Sequence, residues 1–159
     1  MTEKWQALAP MLFEISDAAA CAINEHQLVV AGGVDSAGRL TDIVQIFDSR
    51  ENAWRLFDVC LSVPRRRPAL VSSQKDRVVI IGGRETSHNE SQLSRVVEEI
   101  DFLKRNIVNL ASLIHARAAA SAFTVNDSIF VFGGAATGTL GEKYSLSENK
   151  WREVGPCKA

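Results

Sequence analysis

Residues 129–141 read IFVFGGAATGTLG, an apolar, strand-like run that ends in two glycines and opens into a small, glycine-rich loop. Two readings compete for it. A phosphate cradle uses glycines to let backbone N–H groups approach an anion, and it sets the loop against a helix N-terminus. The phosphate loop of nucleotide-binding proteins also closes on Gly-Lys-Ser/Thr. Here the loop closes as Gly141-Glu142-Lys143-Tyr144, with an acid where the lysine belongs, and no GxGxxG pattern occurs. The residues beyond it, EKYSLSENKW, space Tyr, Leu and Trp as a strand and turn, not as an amphipathic helix.

The same stretch recurs. HQLVVAGG ends at Gly33, RVVIIGG at Gly83 and IFVFGG at Gly134, so the glycine pairs are 50 and 51 residues apart. A solitary ligand loop has no reason to repeat, whereas a repeat of this length marks an architectural unit. Each unit has four parts. A small-residue run comes first: SDAAACAI (16–23), RRPALVSS (66–73) and RAAASAFTV (117–125). The apolar run into the glycines follows. After a variable loop comes DIVQIFD (42–48), RVVEEID (95–101) or GEKYSLS (141–147). A short run beginning at Trp54, Ile107 or Trp151 ends the unit, each six residues after Asp48, Asp101 or Ser145. Four short β-rich runs separated by turn residues describe a four-stranded antiparallel sheet. The alanines at 18–20 and 118–120 favour helix intrinsically, but the runs are short and lack an i, i+3, i+4 apolar stripe. They read as strands squeezed against neighbours near a central axis.

Composition bounds the function. The chain has 159 residues, 46% hydrophobic and 23% charged, with a formal net charge of −1. That is one domain's length with no bulk electrostatic pull toward nucleic acid or an anionic membrane. No apolar stretch approaches the roughly 20 residues of a membrane span, and MTEKWQALAP lacks a secretory layout. Cys21, Cys60 and Cys157 have no metal-ligand spacing and read as free thiols in a reducing compartment. A cytoplasmic location, no cofactor and no metal are expected. Three scattered histidines and the single Tyr144 offer no catalytic or metal cluster, so no enzyme is expected.

The repeat resembles the kelch repeat. The matching residues are Gly32-Gly33, Gly82-Gly83 and Gly133-Gly134, the basic residues Arg66 and Arg117 ahead of the small-residue strand, and Asn52-Ala53-Trp54 with Asn149-Lys150-Trp151. Ser16 departs from the pattern in the arginine slot, Ile107 in a tryptophan slot and Ser145 in an aspartate slot. The resemblance implies an all-β, kelch-type β-propeller segment over 1–159. It comprises three four-stranded antiparallel blades (16–57, 58–110 and 111–159) and an extra N-terminal strand at Trp5-Gln6-Ala7-Leu8 within an outer strand and linker (1–15). It also implies that each glycine pair lies where a neighbouring aromatic packs over bare backbone. The tryptophans then fill space between blades, and Trp54→Ala is expected to cost about 3–5 kcal/mol.

Propellers close with four to eight blades, so three blades need more. Either the chain is part of a longer propeller or two copies associate as a homodimer. The surplus strand favours the first, because a pair of such chains would carry two strands too many. The resemblance places the loops between the second and third strands and the linkers between blades on one face. They collect Arg39, Arg65, Arg67, Arg84, His88 and His115. The resemblance then implies a protein-interaction module whose basic face binds an acidic protein or peptide, guanidinium groups being suited to carboxylates. Arg66 and Arg117 are set aside as structural, and Arg65 and Arg84 are expected to tolerate reversal to Glu without loss of stability. The alternative is an assembly component that docks through its open blade edges into a larger complex, such as a cytoskeletal or ubiquitin-ligase complex.

Overall fold

The computed structural model describes residues 5–88, 92–135 and 141–155. Short, β-branched, alternating runs bounded by Asn, Asp and Gly turns form strands, and there is no helix among the described residues. A short ribbon at the N-terminus pairs β1 (Ile15–Ser16) with β4 (Val34–Asp35). Blade 1 consists of β2 (Ala19–Ala22), β3 (Gln27–Ala31), β5 (Val44–Asp48) and β6 (Ala53–Leu56). Blade 2 is β7 (Ala69–Gln74), β8 (Arg77–Ile81), β9 (Val97–Asp101) and β10 (Asn106–Asn109). Blade 3 is β11 (Ser121–Val125), β12 (Ser128–Phe132), β13 (Gly141–Ser145) and β14 (Lys150–Val154). Every neighbouring pair within a blade is antiparallel and consecutive in the blade, and the alanine-rich runs are strands as expected.

The blades pack through their first strands, β2 against β7 and β7 against β11. Because side chains alternate across a strand, each sheet sends one set forward to the next blade and one back to the previous blade. Val29, Ala31, Val44 and Ile46 of blade 1 meet Val78, Ile80 and Ile100 of blade 2. Val79, Ile81 and Val97 of blade 2 meet Ile129, Val131, Tyr144 and Trp151 of blade 3. The propeller segment therefore has two inter-blade cores.

Trp151 belongs to the second of these cores as expected, whereas Trp54, also expected between blades, lies in neither, and each has a polar handle. Trp151 lies 5.0 Å from Tyr144, centroid to centroid, and its ring N–H donates to the Ala111 carbonyl at 2.8 Å. Trp54 repeats this with Phe47 at 5.1 Å and the Ala9 carbonyl at 2.9 Å. Asn149 and Asn52 return a bond, accepting from the amides of Ala111 and Ala9. In blade 2, Ile107 supplies bulk without a donor, and Arg105 in the asparagine place pairs with Asp58.

Residues 5–8, expected as an extra strand, belong to no strand, and Trp5 is wholly exposed. The segment is held further along instead. The Phe13 amide donates to Gln45 Oε1 and the Phe13 carbonyl accepts from Gln45 Nε2. Ala9 to Phe13 thus meet blade 1 much as the linker at 111–115 meets blade 3.

The glycine pair has a steric reason, but what packs over Gly32 and Gly82 is linker backbone and not the expected aromatic ring. Gly32 and Gly82 take φ of 68° and 61°, in the left-handed region that Gly enters freely. A Cβ on either would overlap the carbonyl oxygen of Arg65 or Arg117 on the incoming linker. Gly82→Ala combines backbone strain with that overlap and is expected to destabilise the chain by about 2–4 kcal/mol in urea unfolding. Gly38→Ala, also at positive φ but in open space, is expected to cost about 1 kcal/mol.

Candidate functional site: the loop face and its arginines

Strand register decides which arginine is equivalent to which. Ala31, Ile81 and Phe132 pair with Ala19, Ala69 and Ser121. Four residues upstream of these partners stand Ile15, Arg65 and Arg117. Asp17, Arg67 and Ala119 fall two residues further on, and all three share a left-handed φ of 55°, 50° and 54°. Arg65, not Arg66, is therefore the counterpart of Arg117, and Ile15, not Ser16, fills that place in blade 1.

Arg65 and Arg117 are both fully buried. Arg65 is ion-paired with Glu98 on β9, and its Nη1 donates to the carbonyls of Val96 and Gly82. Arg117 pairs with Glu142 on β13 at 2.8 Å, and its Nη1 donates to the Gly133 carbonyl. Each carboxylate also accepts from linker backbone. Glu98 accepts from the Ser62 amide, and Glu142 from the amides of Ile114 and His115. Burial draws the Arg65 pKa down to about 10, which leaves it charged at neutral pH beside Glu98. Meanwhile the backbone carbonyls of Arg65 and Arg117 accept from Gly33 and Gly83 of the preceding blade, at 2.7 and 2.9 Å. One residue thus ties a linker to the blade behind it and the blade ahead.

Blade 1 replaces both partners together. Ile15 stands for the arginine and the buried Gln45 for the acid, so no buried charge is left behind, and the amide is satisfied by Phe13. Each third strand carries this polar residue three positions before its terminal Asp48, Asp101 or Ser145. The regular spacing could have exposed it in the sequence.

The expected partner-binding residues separate into layers. Arg65 lies beneath the face and is unavailable to a partner, and Arg84 is 6% exposed, its backbone paired in both directions with Arg66. Reversing Arg65 would set two carboxylates together in a buried site, so it unfolds the chain instead of sparing it. Arg66 is 7% exposed and reaches Asp17 and the Thr86 carbonyl. Arg67 is half-exposed near the axis, its Nε 3.0 Å from Asp17. Its amide donates to the Asp17 carbonyl and its carbonyl accepts from Ala119, a run of hydrogen bonds from blade to blade. Arg39 is the most open of these arginines, with 78% of its side chain exposed, and pairs with Asp35 at 2.8 Å. His88 is exposed. His115 is half-exposed, with Nε2 2.6 Å from Glu153.

Arg39 and His88 come together. The loop at 37–40 and the loop at 85–88 form the walls of an open groove of about 640 Å³, with Arg39 on one side and Glu85 and His88 on the other. His115 and Arg67 are not part of its lining. His26 lines a separate polar hollow at the strand turns with Asp48 and Asp76. Among the described residues, no group of three His, Cys, Asp or Glu could hold a metal ion, and no helix is long and apolar enough to cross a membrane.

Two outcomes follow from the clamps. Arg65→Ile leaves Glu98 buried and unpaired and is expected to cost about 3–5 kcal/mol. Adding Glu98→Gln, which reproduces the blade 1 pair, restores more than half of that in urea unfolding. Asp17 has its pKa lowered, first by the Arg67 hydrogen bond. Its contribution is therefore present above the unfolded pKa of about 3.9 and is lost as pH falls through the lower folded value. The decline in melting temperature between about pH 5 and pH 2 is expected to shrink in Asp17→Asn. It persists in part, because Asp35 and Asp48 are lowered too.

The family model of the Kelch motif matches residues 16–57, the whole of blade 1. Over 162 aligned residues, covering 98% of the chain, it is 28% identical to kelch-like protein 23 of Homo sapiens and of Mus musculus. The chain spans 27% of the length of these curated relatives. That match lies in blade 1, and the same glycine pairs, strand order and linker contacts recur in blades 2 and 3, so the chain is similar throughout to kelch-repeat proteins.

Proposed function

We propose that the chain is a non-catalytic protein-interaction module whose loop face binds an acidic peptide or protein surface. The groove between the loops of blades 1 and 2 supports this reading most directly. Arg39 is open there, and its exposed pair with Asp35 is of the kind worth only about 0–1 kcal/mol. An incoming carboxylate can therefore replace Asp35 at little cost and gain a two-pronged guanidinium contact. His88 lies on the facing wall, and Arg67 and His115 extend the contact toward the axis and the next linker. Arg65 and Arg84 support this surface from beneath. No cofactor takes part in this reading, and the compartment proposed is the cytoplasm.

A fluorescein-labelled, glutamate-rich peptide titrated with the chain provides the test. Arg39→Glu combined with Arg67→Glu is expected to weaken binding at least tenfold, about 1.4 kcal/mol, and wild-type affinity is expected to fall as salt rises. Thermal melts report whether the variant still folds. Binding that ignores both the double reversal and salt would refute the acidic-partner reading.

A further inference from the structure

The two outer faces of the three-blade stack belong to the same kind of interface. At the forward positions, Val29, Ala31 and Ile46 of blade 1 and Val79 and Ile81 of blade 2 are at most 3% exposed. Blade 3 carries Phe130 and Phe132 at the positions of Val29 and Ala31. Each ring stacks with Phe123 at a centroid distance of 5.7 Å, and the two lie 6.4 Å from each other. Yet Phe123 is 46% exposed and nearby Val125 48%. At the rear of blade 1, Leu28 and Val30 are only half-buried. Their counterparts, Val78 and Ile80 in blade 2 and Ile129 and Val131 in blade 3, are fully buried. One end thus offers an uncovered forward face and the other an uncovered rear face.

We propose that the forward face of blade 3 packs on the rear face of blade 1 in a second copy of this chain, and that two such contacts close a ring of six blades. Continuity with the two inter-blade cores identifies the occupant, since the forward face is built to meet a rear face and this chain presents both. Two copies stacked in this way bring together six blades, within the four to eight at which propellers close. A head-to-tail contact repeated about a two-fold axis leaves neither face open. The N-terminal segment does not obstruct docking. Residues 9–13 hold blade 1 through Trp54 and Gln45, as 111–115 hold blade 3 through Trp151 and Glu142, and blade 3 still packs on its neighbour. Residues 5–8 belong to no strand, so they do not claim the fourth-strand place that β14 of the second copy brings.

The test is the molar mass of the chain by light scattering after size exclusion, with charge substitutions on each face. The wild type is expected at twice 17.4 kDa. Phe130→Asp and Val30→Lys are each expected to give folded monomers, checked by circular dichroism. Mixing the two variants is expected to restore the dimer. In a mixed ring one contact sets the introduced carboxylate against the introduced ammonium and the other is wild type, whereas neither variant alone has a matched contact. Recovery on mixing cannot come from misfolding. A wild-type monomer at every concentration overturns the proposal. So does a dimer broken by Phe130→Asp but not by Val30→Lys, which would mean two phenylalanine faces meet. Failure of the mixture to dimerise overturns it as well.

Discussion

A fully buried arginine facing a fully buried glutamate organises blades 2 and 3. Removing two charges from water costs several kcal/mol each, and only close pairing with every remaining polar atom engaged offsets it. Arg65–Glu98 and Arg117–Glu142 reduce that cost by drawing in backbone. Their guanidinium groups take up the carbonyl of the first glycine of their own blade, and their carboxylates take up linker amides. The clamp therefore determines where each linker enters and how the glycine corner sits. It also sets how the arginine's own carbonyl reaches the glycine amide of the blade behind. Blade 1 reaches the same arrangement without charge, because Ile15 and Gln45 changed together and Phe13 supplies both hydrogen bonds.

This division of labour bears on the surface. Most of the loop-face arginines are consumed by architecture, and a count of basic residues overstates the positive charge a partner meets. Arg67 and Arg39 are the more open ones, and each already holds a carboxylate, Asp17 or Asp35. Recognition there is an exchange of one carboxylate for another, governed by local geometry more than by net charge. The groove between adjacent loops is a product of blade repetition, since neighbouring blades set successive loops side by side.

Much of the fold was legible in the sequence because its constraints are periodic. The glycine pairs, the strand runs that precede them and the tryptophans six residues after the third strand recur at nearly constant spacing. The backbone reason for each recurs with them. The site was less legible. In Arg65-Arg66-Arg67 three identical residues compete for one structural place, and composition cannot rank them. Strand register and the left-handed backbone at Arg67 do so, and both are properties of the assembled blades. The N-terminal tryptophan misled for a related reason. Trp5 has the spacing of a fourth-strand residue but belongs to no strand, because a strand forms where a neighbour offers a ladder.

A double-mutant cycle on Arg117 and Glu142 in blade 3, followed by urea unfolding, tests the clamp most directly. The account predicts that Arg117→Met and Glu142→Gln each lose about 3 kcal/mol or more. It also predicts that the double variant loses much less than their sum, with a coupling of about 2 kcal/mol or more. Additive losses, or single losses below about 1 kcal/mol, would show that the buried pair does not hold the blades in place.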